Sequence, residues 1–234
     1  MILGGRTGIL GGTLDPVHLG HLETARATRQ ALALDRVLLV PSRVPPHRSN
    51  GPEASAFHRF AMVALAVNGI EGLEASDLEL HTPGPSYTAD TLLRLHAAGL
   101  RPDQIFFITG ADAFAEIDTW SRYPGVLDLS HFVVVSRPGY DATALRGILP
   151  ALAPRMRAAG PDAATNPNPG VFLLDVRTPD VSSTDIRARL RAGASIRGLV
   201  PDAVAQHIYQ HHLYSQDVTS TDTRTTADHL HGQN

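Results

Sequence analysis

The sequence predicts an α/β fold built on a doubly wound parallel sheet with helices on both faces. Three observations point there. Short apolar runs alternate with amphipathic stretches of helical length, the pattern of strands joined by crossover helices. The first apolar run, Ile9-Leu10, passes directly into a glycine-rich turn, Gly11-Gly12-Thr13, and then into a helical pattern. The chain has 234 residues, of which 43% are hydrophobic and 18% charged, enough for one sizeable core. Together these describe a Rossmann-like arrangement, in which ligands bind beyond the carboxyl ends of the strands where strand order reverses.

The elements follow in order. Strands are expected at Gly8–Gly12, Val37–Pro41, Leu73–Ala75, Ile105–Thr109, Phe132–Ser136 and Val171–Asp175. Helices are expected between them at Leu19–Leu32, Phe57–Val67, Ala89–Ala98, Ala142–Arg157 and Ser183–Arg191. Pro161–Gly170, rich in proline, asparagine and alanine, reads as a surface loop, and Pro201–Leu213 as a short terminal helix. From Ser215 to Asn234 the chain is polar and nearly devoid of aliphatics, so the expected division is a folded domain over 1–214 and a disordered polar tail over 215–234. The tail's His229 and His231 read as solvated residues.

Two absences narrow the chemistry. There is no cysteine, which removes disulfides, thiolate nucleophiles and sulfur-ligated zinc. There is also no lysine, so all 20 basic residues are arginine. That excludes a Walker A lysine, a Schiff-base lysine and an AMP-carrying lysine. The net charge of -3 gives no general attraction for nucleic acid or anionic membrane. No apolar run is long enough to span a bilayer and no signal peptide is evident, so the expected compartment is the cytoplasm.

The stretch Gly11-Gly12-Thr13-Leu14-Asp15-Pro16-Val17-His18-Leu19-Gly20-His21 carries the strongest signal. Glycines let the backbone approach a phosphate, helix-start N–H groups point at it, and imidazoles three residues apart share a helical face. The bland readings are a capping and a packed histidine, or a zinc pair. Ser182-Ser183-Thr184-Asp185-Ile186-Arg187 opens a second helix. It is either an ordinary N-cap or a second phosphate site with Arg187 adding charge. Pro45-Pro46-His47-Arg48 is a proline-stiffened loop that would aim His47 and Arg48 over a crevice. Ser86-Tyr87-Thr88 opens another helix. Asp112 follows the fourth strand, where a carboxylate can accept from ribose hydroxyls. The lone Trp120 reads as core or as a shelf for a ring.

Taken in order, these motifs, with Arg137-Pro138-Gly139 and the closing Leu213-Tyr214, resemble the bacterial nicotinate-nucleotide adenylyltransferases of the HxGH nucleotidyltransferase superfamily. The resemblance covers about residues 8–214. Leu14 stands where the family usually has an aromatic residue, Thr82 where an arginine often precedes Ser86-Tyr87-Thr88, and Val181 where isoleucine is usual. The resemblance implies transfer of AMP from ATP to nicotinate mononucleotide. It assigns ATP to Gly11, Gly12, Thr13, His18, His21, Ser182, Ser183, Thr184 and Arg187, with His18, His21 and Arg187 catalytic. It assigns the mononucleotide to Thr88, Asp112 and Trp120, with His47, Arg48 and Arg137 near its phosphate. It also implies Mg²⁺ carried by the ATP phosphates, with no metal ligand from the protein. The partners expected are these small-molecule substrates, with homo-oligomerisation open, and neither nucleic acid nor membrane. Phosphopantetheine adenylyltransferase and a non-catalytic ATP sensor are the alternatives.

Overall fold

The computed structural model describes residues 5–45, 51–82, 84–137, 139–160, 167–176 and 178–215. Seven strands form one sheet: β1 (Thr7–Gly12), β2 (Arg36–Pro41), β3 (Leu73–Ala75), β4 (Ile105–Gly110), β5 (His131–Val135), β6 (Met156–Ala158) and β7 (Val171–Leu174). All pairings are parallel, in the order β3-β2-β1-β4-β5-β7-β6. Among the described residues seven α-helices accompany them: α1 (Leu19–Ala31), α2 (Ala56–Val67), α3 (Thr88–Ala97), α4 (Ala111–Phe114), α5 (Leu145–Ile148), α6 (Ser183–Arg191) and α7 (Asp202–Gln210).

The alternation within each strand sorts the core into two layers. Leu10, Val37, Leu39, Phe106, Ile108, Val133 and Phe172 face one side and pack with Leu22 and Ala25 of α1, Met62 and Val63 of α2, Ile186 of α6 and Ile208 of α7. Ile9, Leu38, Val40, Ile105, Phe107, Phe132 and Val134 face the other and meet Leu92 and Leu95 of α3 and Phe114 of α4. Both faces are covered, so these strands tolerate nearly continuous apolar sequence.

One expected helix is corrected. Ala142–Arg157 is not continuous: a 3₁₀ turn over Ala142–Ala144 leads into α5, and a second over Pro150–Arg155 follows. Pro150 and Pro154 each lack the N–H that a helical turn needs. The chain leaves that turn as β6 and pairs Met156 with Val171 and Arg157 with Phe172. The residues expected to form the loop are described only from 167, and the expected tail beyond Ser215 lies outside the described residues.

Candidate active site

Strand order reverses between β1 and β4, and the glycine turn at the end of β1 sits beside Thr109-Gly110 at the end of β4. Two cavities adjoin there. One, of about 310 Å³, lies between Gly11–Thr13, Ser86–Thr88, Phe107 and Trp120. The other, of about 380 Å³, is walled by Gly11–Leu14, His18, His21, Asp112, Arg137 and the approach to α6 at Thr178–Thr184. Gly11, Gly12, Thr13, Ile108, Thr109 and Ala113 line both, so the turn is a shared ridge. Packing does not demand glycine on that ridge. A Cβ at Gly11 would reach Phe107 at 3.5 Å and one at Gly12 would reach Leu14 at 3.8 Å, both ordinary contacts.

His18 is the N-cap residue of α1. Its N–H donates to His21 Nδ1 at 3.2 Å, and the two rings stack with centroids 3.7 Å apart. Because Nδ1 of His21 accepts, the ring hydrogen of its neutral form sits on Nε2. Burial, followed by the nearby Arg137 charge, pushes the His18 pKa down to about 4. Burial lowers His21 as well, with His18 and then Arg137 adding to it. Both imidazoles are therefore neutral around pH 7. His18 Nδ1 is buried with no partner among the described residues. A cation, two imidazoles and a helix start thus line one cavity, the arrangement that receives an anion.

The start of α6 contributes differently from its hydroxyl-rich sequence. Ser182 Oγ accepts from Asp185 N at 3.0 Å and donates to Asp185 Oδ2 at 2.8 Å, an ordinary cap. Ser183 Oγ donates to the Pro16 carbonyl at 2.9 Å. Ser182, Ser183 and Thr184 line the cavity, but two of the three hydroxyls are spent within the protein. Arg187 lines neither cavity. Its Nε donates to Glu53 Oε1 at 2.8 Å and a terminal nitrogen to the Asp15 carbonyl at 2.7 Å. The guanidinium expected to contact phosphate is thus engaged beneath the turn, by Glu53 and the Asp15 carbonyl.

Thr88 and Trp120 share the first cavity, and Trp120 also packs edge-on against Phe107 and Phe132. Asp112 and Arg137 belong to the second, with Asp112 Oδ2 3.8 Å from the Arg137 guanidinium. Gly110 makes that pairing possible, since a Cβ there would collide with Asp112 Oδ1 and the Arg137 guanidinium. His47 and Arg48 lie outside the described residues.

The cytidylyltransferase-like family model matches residues 9–189. A probable nicotinate-nucleotide adenylyltransferase of Desulfatibacillum aliphaticivorans is 42% identical over 218 residues, covering 89% of this chain and 99% of its own. One of Pseudomonas aeruginosa, strain UCBPP-PA14, is 44% identical over 213 residues, covering 91% and 98%. This chain belongs to the nicotinate-nucleotide adenylyltransferase family. A solved structure of Plasmodium falciparum nicotinic acid mononucleotide adenylyltransferase complexed with NaAD shares the fold. Its TM-score is 0.66 at 17% identity, over 90% of this chain and 98% of that one.

Several residues of this adenylyltransferase carry no signal in the sequence. Glu79 is buried, lines the tryptophan cavity and accepts from Thr91 Oγ1 at 2.6 Å. Arg59 is 1% exposed, and its guanidinium donates to the carbonyls of Thr13 at 2.7 Å and Ser42 at 2.6 Å. An arginine inside the pattern of α2 reads as a solvated face until the fold turns it inward. Among the described residues, no helix is long and apolar enough to cross a membrane.

Proposed function

We propose that this chain transfers AMP from ATP to nicotinate mononucleotide, giving nicotinate adenine dinucleotide and pyrophosphate, in the cytoplasm. The observation that carries this is the pair of cavities meeting over Gly11–Thr13. One offers an aromatic face and a helix start, the other two imidazoles and a guanidinium. A mononucleotide in the first and a nucleoside triphosphate in the second would bring their phosphates together across the ridge. An oxygen of the acceptor phosphate attacks the α-phosphorus of ATP as the bond to the bridging oxygen breaks and pyrophosphate leaves. The attacking phosphate is already anionic, so no general base is required. Alignment and charge stabilisation carry the reaction. His21 Nε2–H and His18 donate to oxygens that gain charge, Arg137 adds a cation, and the N–H groups at the start of α6 meet the departing end. Arg187 acts as a positioning residue, holding Glu53 and the Asp15 carbonyl. Asp112 fixes Arg137 in the same cavity. Mg²⁺ enters with the ATP phosphates. Asp112 and the exposed Asp180 are the only carboxylates among the described residues that line the histidine cavity, which suits an ion held chiefly by the nucleotide.

The tryptophan cavity also supports a preference for the acid mononucleotide over the amide. Ser86 N–H is spent on the Val44 carbonyl at 2.8 Å, whereas those of Tyr87 and Thr88 make no hydrogen bond among the described residues. Two donors at a helix start suit both oxygens of a carboxylate. A carboxamide would turn its NH₂ toward one of them. Glu79 opposes this, since its carboxylate would accept from that NH₂, but its reach is shared with the Thr91 hydroxyl. One unmatched donor costs about 1–3 kcal/mol, with the ionic contribution added. The preference should therefore be at least ~10²-fold in kcat/KM. Pyrophosphate release would be followed with ATP and, in turn, nicotinate mononucleotide, its amide analogue and 4′-phosphopantetheine. Fast release only with the acid mononucleotide is expected. Equal rates with acid and amide refute the donor pair, release with phosphopantetheine moves the chain to that reaction, and ATP binding without release makes it a sensor.

A further inference from the structure

We propose that His58, His207 and His211 form a second site, remote from both cavities, that binds one divalent transition-metal ion, zinc foremost, and fastens α7 to α2. None of the three lines either substrate cavity. His58 lies in the first turn of α2. His207 lies in the last turn of α7, and His211 caps it one turn later. One ligand nitrogen from each lies within 4.8 Å of the other two. His58 Nδ1 and His207 Nε2 are 3.1 Å apart, and the ring centroids of His207 and His211 are 4.4 Å apart.

The geometry suits zinc. Tetrahedral zinc with Zn–N of about 2.0–2.1 Å holds its ligand nitrogens about 3.3–3.4 Å apart. The closest pair is already near that spacing. No other pair needs to close by more than about 1.5 Å, which rotation of the exposed His211 ring supplies. Three imidazoles without thiolate or carboxylate select metals of the zinc, nickel and copper class over magnesium or calcium. The fourth position, on the exposed His211 side, is left to water.

In the metal-free protein the contact between His58 Nδ1 and His207 Nε2 already holds α2 and α7 together at this point. The consequence reaches the turn. Arg59, next to His58, grips the Thr13 carbonyl, and Tyr214, three residues past His211, donates to Asp15 Oδ1 at 2.6 Å. A metal here would join the two segments that both hold the glycine turn, in a chain that has no cysteine for a disulfide.

The test uses the full chain stripped of metal with a chelator and titrated with zinc chloride, followed by calorimetry and thermal unfolding. One equivalent should bind and, at about 100 times Kd, raise Tm by roughly 5–10 °C. His58→Gln and His211→Gln should each weaken zinc binding by more than ~10²-fold, since losing a ligand exceeds losing its outer partner. Metal-free turnover should stay within about twofold in both variants. Should His58→Gln fail to fold, His211→Gln carries the test, because that side chain is exposed. Zinc binding that survives both substitutions would assign the ion to His18 and His21 or to the tail histidines, and overturns the proposal. Absence of saturable binding below millimolar zinc overturns it equally.

Discussion

Acidification should destabilise this enzyme through His18 in a way that one substitution removes. His18 is 7% exposed, stacked on His21 and close to Arg137, which Asp112 faces across 3.8 Å. Its pKa is held at about 4 against an ordinary value of 6.5. Because the folded value is depressed, the unfolded chain takes up the proton first as pH falls. The stability owed to neutral His18 is complete above 6.5 and is lost between 6.5 and about 4. At 1.36 kcal/mol per unit the full loss is about 3.4 kcal/mol, of which about 2.5 kcal/mol is gone by pH 4.5. His18→Gln has no proton to gain there, and it also relieves the share of the His21 depression that His18 causes. Urea denaturation of both proteins at pH 7.5 and 4.5 measures the effect. Wild type should lose roughly 2–3 kcal/mol more than the variant across that interval, and tripolyphosphate should reduce the difference by stabilising the charged imidazole. A wild-type-minus-variant difference that is independent of pH would refute the buried neutral histidine.

Arg187→Ala should cost about 1.5–3 kcal/mol of stability, because it removes charged hydrogen bonds to Glu53 and the Asp15 carbonyl. Weakened pyrophosphate binding with unchanged unfolding would instead show a direct phosphate contact. Gly110→Ala should displace the Asp112–Arg137 pair, lowering kcat by at least ~10-fold with little loss of stability, because the atoms in the way are the ends of half-exposed side chains. Full turnover in that variant would sink the role given to Arg137.

The strands were legible because a sheet covered on both faces writes itself as apolar runs: β3 falls on the expected residues, β1, β2, β4 and β7 shift by one residue at one end, and β5 shifts by one at both. β6 was not legible. Met156–Ala158 gains strand character only from its neighbour β7, and nothing local separates it from the preceding run. The ridge between the two cavities was legible because its glycines, histidines and hydroxyl residues lie in short contiguous motifs. Arg187 shows the limit of that reading. A motif tells which helix carries a residue, whereas the direction of its guanidinium depends on Glu53, 134 residues away. Glu79 and Arg59 were invisible for the same reason, since each acquires its partners only when distant segments meet.

The buried polar network beneath the turn explains how a lysine-free chain prepares the proposed polyphosphate site. A turn presents carbonyls as well as N–H groups, and carbonyls facing the cavity would repel phosphate. Here Arg59 takes the Thr13 carbonyl and Arg187 takes the Asp15 carbonyl, so both acceptors point into the protein. The Asp15 carboxylate accepts from Glu53 N at 2.8 Å, Ala54 N at 3.1 Å and Tyr214 Oη at 2.6 Å, which ties the segment after α7 and the segment before α2 to the same turn. Burial raises the Tyr214 pKa, and the Asp15 charge raises it further, so the phenol remains a donor. Burial alone would raise the Glu53 pKa, but Arg191 and Arg187 together hold it low. Three guanidiniums (Arg59, Arg187 and Arg191) among two carboxylates (Asp15 and Glu53) leave one net positive charge, but none of the three lines the histidine cavity, so the network shapes the turn without supplying the direct attraction. That attraction falls to Arg137, the imidazoles and the helix starts. Lysine would serve poorly beneath the turn. Arg59 alone reaches the carbonyls of Ala54, Thr13, Ser42 and Arg43, a spread that a planar fork of five donors meets and a single ammonium does not.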